Sequence, residues 1–198
     1  IVGSLAADAM QASTNNTAIG YAALSAFNSA GDNLNTAIGS TAMLSLTTGF
    51  HNTAVGYAAL DASTTGQRNT AMGRDSLGSD VNGNYSVAIG DATLAAQNFT
   101  TATESLNVAV GYQAGTSVTT GILNTIVGGF AGDALQDADR NVAAGYAALT
   151  SDTLGNRSTA LGYGTLQTQN FTTATDSYNV AVGYDAGASV TTGRENTI

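Results

Sequence analysis

An all-β fold, a parallel β-solenoid of about 17-residue coils, is predicted by three features of this sequence. A glycine recurs at nearly constant interval from one end of the chain to the other. A short β-branched cluster precedes each of those glycines, and Pro, Cys and Trp are wholly absent. Self-similarity at a fixed period of this length is the signature of a repeat architecture.

The recurring unit has the form Asn-Thr-Ala-Ile/Val-Gly-Tyr-x-Ala-Leu. Its central glycines are Gly3, Gly20, Gly39, Gly56, Gly73, Gly90, Gly111, Gly128, Gly145, Gly162 and Gly183, at intervals of 17, 19, 17, 17, 17, 21, 17, 17, 17 and 21. The basic period is therefore 17, with insertions of two or four residues. Even increments preserve the in/out parity of an extended segment, so they fit loops between strands. Residues 90–126 and 162–198 align without gaps at an offset of 72 (17 + 17 + 17 + 21), which indicates duplication of a four-coil block. The whole of 1–198 reads as one repeat array.

Taking each central glycine as position 0, position −4 is Asn except at Ser86 and Ser158, and position −3 is Thr or Val. Position −2 is nearly always Ala, and position −1 is Ile, Val, Leu or Met except Ala144. This is a short strand with β-branched residues on one face and small residues on the other. The small face implies that another backbone approaches closely. Stacked Asn amides are expected to form a ladder at the corner. Position +4 holds Leu24, Met43, Leu60, Leu77, Leu94, Leu149 or Leu166, replaced by Gly115, Gly132 and Gly187 in three coils; it reads as a second apolar contact. The Thr-Thr-Gly segments at 47–49, 64–66, 119–121 and 191–193 read as turns in which Gly takes positive φ. Long helices are excluded by the glycine and β-branched cluster in every period, although Tyr-Ala-Ala-Leu leaves room for one helical turn per coil.

A 17-residue unit cannot bury its own apolar face and must stack on its neighbours. Eleven to twelve coils, each advancing by about 4.8 Å, give a rod of roughly 55 Å. The chain starts at Ile1-Val2-Gly3 and stops at Asn196-Thr197-Ile198, inside a repeat. Since uncapped solenoid ends expose strand edges, flanking repeats or capping domains are expected in a longer protein.

Composition narrows the function classes. Charged residues are 10%, well below the roughly 25% of ordinary domains, yet the regular Val, Ile and Thr argue against disorder. The net charge of −9 would repel nucleic acid and anionic membranes, so no nucleic-acid partner is expected. No apolar run approaches the roughly 20 residues of a membrane-spanning helix, so no membrane insertion is expected. His51 is the only histidine and there is no cysteine, which leaves neither a His- or Cys-based metal cluster nor a Ser-His-Asp triad in evident reach. Carboxylates are scattered without a repeated pair, and phosphate-binding glycine motifs are absent. Asp80-Val81-Asn82-Gly83-Asn84 resembles an oxygen-ligand calcium loop but lacks the closing Glu, and reads as a turn. No catalytic residue, metal site or cofactor is expected, and the chain does not read as an enzyme.

The Asn-Thr-Ala-Val-Gly-Tyr-x-Ala-Leu units resemble repeats of phage tail fibres. They are also similar to the Asn-Ser-Val-Ala-Ile-Gly units of trimeric autotransporter adhesin heads of the YadA type, most closely at Tyr85-Ser86-Val87-Ala88-Ile89-Gly90. The resemblance covers essentially the whole chain. It implies a left-handed parallel β-roll, three chains wrapped about a common axis, and a role in reaching and holding a surface. The 17-residue period departs from the shorter unit of the adhesin heads, and the chain contains no membrane anchor or coiled-coil stalk. Independently, apolar or small side chains on both strand faces exceed what one narrow core needs, which points to an inter-chain seam and hence a homotrimer. The expected function is the structural shaft of a phage tail fibre or other extracellular fibre, on a virion or cell surface. The alternative is a carbohydrate-binding adhesin head, and an ice-binding solenoid is a further rival. Against ice binding, the Thr column alternates with Val, and its neighbours are Ala and Gly.

The candidate contacts follow from position. Tyr21, Tyr57, Tyr112, Tyr146, Tyr163 and Tyr184 follow the central glycine, interrupted by Ser40, Arg74, Asp91 and Gly129. Exposed, such a column would dock the sugar rings of a cell-surface glycan; otherwise it is a packing ladder in which each ring covers the coil beside it. Phe99 and Phe171 lie in the insertions, where each is either a receptor contact or a loop anchor. Asn98 and Asn170 open Asn-Phe-Thr sequons, which are glycosylation acceptors only in a eukaryotic secretory pathway.

Overall fold

The computed structural model describes residues 1–10 and 12–198. Ten three-residue strands form one parallel sheet: Thr17–Ile19, Thr36–Ile38, Thr53–Val55, Thr70–Met72, Val87–Ile89, Val108–Val110, Thr125–Val127, Val142–Ala144, Thr159–Leu161 and Val180–Val182. Each strand pairs with the equivalent residues of the next coil, as Thr53 with Thr70, Ala54 with Ala71 and Val55 with Met72. The register survives a four-residue insertion unchanged, for Val87 pairs with Val108. Bridges from Val2 to Ile19 and from Val180 to Thr197 add a rung at either end. Ten strands and two bridges make twelve rungs, or eleven steps of about 4.8 Å and a rod of roughly 53 Å.

Among the described residues no helix forms, and the Tyr-Ala-Ala-Leu segments are runs of turns. Backbone conformation explains this. Positions +2 and +4 lie in the left-handed region, as at Ala58 (φ 51°) and Leu60 (φ 55°), where an L-residue costs about 1–2 kcal/mol. Their N–H groups bond along the rod: Ala58 donates to the Ser40 carbonyl and Leu60 to the Ser76 carbonyl, each at 3.0 Å. A helical turn would take those donors for itself and cut the coil off from its neighbours. Ladder bonds and the complete burial of Leu60 offset the backbone cost.

The strand parity puts Ala inside and the β-branched residues outside. Ala18, Ala37, Ala54, Ala71, Ala88, Ala109, Ala143, Ala160 and Ala181 are fully buried, whereas the Thr/Val and aliphatic columns on either side are half-buried or exposed. The core is thus a narrow tube filled by Ala at −2, Leu or Met at +4, and the residue at +7, such as Phe27, Leu46 or Leu135. One coil reverses the sizes. Ile126 stands where other strands carry Ala, and position +4 is glycine at Gly115 and Gly132. A Cβ on Gly115 would lie 2.9 Å from Ile126 Cδ1 and 3.0 Å from Leu94 Cδ2, so the isoleucine occupies the volume the leucine column leaves. Total core volume is kept, which is what a close-packed interior requires.

Two corners hold the coil shut. At Gly56 the backbone has φ +140°, and a Cβ there would meet the Gly73 carbonyl carbon at 2.7 Å; the equivalent collision recurs along the column. The opposite corner is built by Asn. Asn52, fully buried, accepts the Asn69 backbone N–H on Oδ1 at 3.0 Å and donates from Nδ2 to the Gly66 carbonyl at 2.8 Å. The expected ladder is present, but its partners are mainly backbone; amide-to-amide bonds such as Asn52 Nδ2 to Asn35 Oδ1 (3.2 Å) are secondary. The Thr-Thr-Gly glycines depart from expectation, because Gly49, Gly66, Gly121 and Gly193 do not have positive φ. The left-handed residue is instead at position −5, as in His51 (φ 59°) and Arg68 (φ 58°). Gly49 is there for room, since a Cβ would collide with the Gly66 carbonyl oxygen of the next coil and stand 2.7 Å from Leu46 Cδ1.

The three insertions fold as two-stranded parallel ribbons beside the main sheet, pairing Ser13–Thr14 with Gly31–Asp32, Gly83–Asn84 with Thr103–Glu104, and Gly155–Asn156 with Thr175–Asp176. Placing the extra length in a loop leaves the strand register untouched.

Gly56→Ala should destabilise the rod by about 3 kcal/mol or more, combining left-handed strain with overpacking, read as a lower urea midpoint. Asn124→Ala should cost about 1–3 kcal/mol in the same titration, because it orphans the Asn141 N–H and the Ala138 carbonyl.

Candidate functional site

The outward face of the long sheet carries the −3 and −1 side chains of ten strands, and none of them is charged. Ile19, Val127, Leu161 and Val182 are among its members that are 40–56% exposed. In a chain of net charge −9, every carboxylate lies on another part of the coil. Each Thr on this face has an aliphatic partner two residues on, so the outward pattern is Thr-x-Ile/Val/Met/Leu in place of Thr-x-Thr. The strip has two edges. Position −5 supplies one, with His51, Arg68, Arg140 and Arg157, and position +1 supplies the other, with the tyrosines.

All six tyrosines of the +1 column are exposed, Tyr146 and Tyr163 at about half and Tyr184 at 76%. From Tyr112 onward they form a continuous ladder. Tyr112 meets Phe130 edge-on at 5.2 Å, Phe130 meets Tyr146 at 5.8 Å, and Tyr146, Tyr163 and Tyr184 stack at 5.3 and 5.1 Å with their planes within 14°. Phe130 was not evident from the repeat, because it stands one place late, after Gly129; its aromaticity beside a gap in the column was the available signal. The stacked rings turn their faces to one another and offer edges and hydroxyls outward. Tyr21 and Tyr57 stand apart, with Ser40 and Arg74 in the neighbouring coils. Arg74 forks onto Asp91 at 3.0 and 2.8 Å and also pairs with Asp75. On the other edge, Arg68 lies 5.3 Å from the ring centroids of both Phe50 and Tyr85, and Arg157 lies 5.5 Å from that of Tyr178.

The loop residues fall differently. Phe99 and Phe171 are folded inward at 6% exposure, whereas Thr100 and Thr172 beside them are exposed. Asn98 is exposed, and Asn170 is partly buried with its Oδ1 accepting from Thr153 Oγ1 at 3.1 Å. Beneath each Phe lies a buried polar network. Asp80 Oδ1 accepts the backbone N–H groups of Gly83 (3.0 Å) and Phe99 (3.1 Å), and its Oδ2 accepts from Gln97 Nε2 at 2.6 Å. Gln97 also donates to Ser86 Oγ and accepts from Asn107 Nδ2, each at 2.9 Å. Asp152, Gln169, Ser158 and Asn179 repeat the arrangement 72 residues later. The Asp80 segment that resembles a calcium loop is therefore a turn capped by its own carboxylate. Burial pushes the Asp80 carboxyl above the ordinary carboxylate range, partly countered by the donors from Gln97, Phe99 and Gly83. Sequence reading missed this network, although the replacement of Asn by Ser86 and Ser158 in the coils that hold Asp80 and Asp152 marked it.

His51 is exposed and packs edge-on against Phe50 at 5.0 Å. Among the described residues no group of three His, Asp or Glu side chains could hold a metal ion, and every buried side-chain nitrogen and oxygen has a hydrogen-bond partner. No helix of the described residues is long and apolar enough to cross a membrane. Comparison with protein-family models, curated proteins and solved structures found no match for the chain.

Asp80→Asn turns an acceptor oxygen into a donor facing Gln97 or a backbone N–H, and should cost about 1–3 kcal/mol at neutral pH. Because Asp80 binds its proton more tightly folded than unfolded, wild-type stability relative to Asp80→Asn should rise as pH falls through the raised pKa. The difference should level off below the unfolded value; urea midpoints of both proteins across acidic pH check the sign.

Proposed function

We propose that this chain is the shaft of an extracellular fibre of the phage tail-fibre kind, a homotrimeric rod that carries a binding end toward a host or cell surface. The observation that carries this reading is the uncharged, half-exposed sheet face that runs the length of the solenoid. Soluble proteins rarely leave so long an apolar strip bare, and strips of that size mark interaction sites. Repetition supplies length at low complexity, and ten strands in unbroken register make a stiff spacer. The role is structural rather than catalytic, with copies of the chain as its first partner and no cofactor. Secretion or virion assembly would place it outside the cell.

A second reading, glycan binding by an adhesin head, rests on Tyr21 and Tyr57. Both are more than half exposed, and among the described residues neither joins the aromatic ladder that Tyr112, Phe130, Tyr146, Tyr163 and Tyr184 form. Glycan arrays probed with the assembled protein and with its Tyr21→Ala, Tyr57→Ala form test it; binding lost only in the variant is the result that would favour it.

Sedimentation equilibrium of the chain should give a mass of three copies, and electron micrographs should show rods rather than globules. Val127→Glu places a charge on the strip while leaving the interior intact, and should shift the sedimenting species to monomer with an unchanged far-ultraviolet circular dichroism spectrum. A wild-type chain that stays monomeric at all concentrations would sink the proposal.

A further inference from the structure

The Asn corner is broken in two coils, by Ser86 and Ser158, and each serine faces a buried glutamine, Gln97 or Gln169. Serine is the only residue other than Asn at this corner, and glutamine stands at position +7 only in these two coils. A hydroxyl and a carboxamide thus arrive together. Ser86, Gln97, Ser105 and Asn107 are fully buried and Asp80 is 1% exposed, so bulk water is kept from all of them. Gln97 Nε2 donates to Asp80 Oδ2 at 2.6 Å and to Ser86 Oγ at 2.9 Å, while Gln97 Oε1 accepts from Asn107 Nδ2 at 2.9 Å. Ser105 gives its own proton to the Asn84 carbonyl at 2.8 Å, so Ser86 is the donor in the bond between the two serine hydroxyls. The Ser86 proton therefore points away from Gln97, and an oxygen lone pair points toward it.

We propose that Ser86 and Gln97 condense within the folded chain to an ester, with loss of ammonia, and that Ser158 and Gln169 do the same. Ser86 Oγ bonds to Gln97 Cδ, the Cδ–Nε2 bond breaks, and the hydroxyl proton ends on Nε2, which departs as ammonia. Nothing is oxidised or reduced, and no external reagent is consumed.

The groups that such an acyl transfer needs are in place. The nucleophile Oγ lies 2.9 Å from Nε2, which is one C–N bond of about 1.33 Å from the carbon under attack. Turning the carboxamide about its soft terminal torsion presents that carbon to Oγ. Asn107 Nδ2 donates to the oxygen on which negative charge develops. Asp80 sits on the leaving nitrogen as the proton carrier. Burial raises its carboxyl above the ordinary range, closer to the neutral pH at which a group both takes up and releases a proton. Exclusion of water then spares the ester from hydrolysis. Around Gln169, Asp152 Oδ2 at 2.6 Å, Ser158 Oγ at 2.8 Å and Asn179 Nδ2 at 2.7 Å repeat the set. Each ester closes one coil, residues 86–97 or 158–169, into a covalent ring that stays shut when its ladder bonds are lost.

Mass spectrometry of the folded chain after prolonged incubation at neutral pH tests this. The intact mass should fall short of the sequence mass by two ammonia molecules. The chain has no lysine, so trypsin cuts only at arginine and leaves each pair within one peptide, residues 75–140 and 158–194. Each peptide should be lighter by one ammonia and give no fragment ions from cleavage between the joined residues. Ser86→Ala should restore the ammonia to peptide 75–140 and leave peptide 158–194 joined, which also shows that the variant has folded. Asp80→Asn should slow the first ester about a hundredfold with the second unaffected. A folded chain that keeps its full sequence mass overturns the proposal. So does a loss of ammonia from peptide 75–140 that persists in Ser86→Ala, which would place it at a succinimide of Asn82-Gly83. Either result leaves the fibre reading standing.

Discussion

The close approach of backbone to backbone at the glycine corner is the constraint on which the rest of this molecule depends. Each corner glycine sits at φ near +135°, and at all of them but Gly183 the place where its Cβ would be is taken by the next coil's carbonyl group. That contact lets successive coils stack at strand spacing, and stacking in turn satisfies backbone donors that a lone 17-residue loop would have to leave to water. Left-handed non-glycine residues are tolerated because ladder bonds to neighbouring coils hold them. The energy of the fold is therefore cooperative along the rod, each unit depending on its neighbours.

A tube this narrow decides what lies inside and what is left outside. Only Ala fits at the inner strand position next to a Leu column, and where Ile126 enters, two glycines withdraw. Apolar residues that would form the core of a wider protein have no interior to enter, so Ile, Val and Leu stay on the outer face. The same geometry that closes the coil thus leaves an apolar strip along its outer face. Charge follows the same logic, with carboxylates distributed everywhere except the strip and arginines gathered along one of its edges.

Much of this was legible one column at a time. The period, the even insertions, the strand and its parity follow from the glycine spacing and the Thr-Ala-Ile pattern, and the burial of Leu60 or Asn52 follows from recurrence at one position. Features set by contacts between coils were less legible. Phe130 joins the aromatic ladder from a neighbouring position because its ring lies between those of Tyr112 and Tyr146, where the column has Gly129. Gly49 looked like a positive-φ turn residue, and is required because the Gly66 carbonyl of the next coil fills the space beside it. Asp80 read as part of a turn, and its burial together with Gln97 depends on two coils closing over them.

By itself, the sequence determined that the chain is a stack of 17-residue β-coils, because a strict period with one small and one β-branched column admits few other ways to bury apolar surface. It also determined which coils resemble one another, down to the 72-residue offset shared by both buried networks. Only the tertiary structure decided which strand face looks outward, since alternation alone is indifferent to inside and outside until a neighbouring backbone fills one side. Tertiary structure likewise decided that stacked tyrosine rings cover one another and that Phe99 and Phe171 turn inward, because both depend on distances between coils that no single repeat contains.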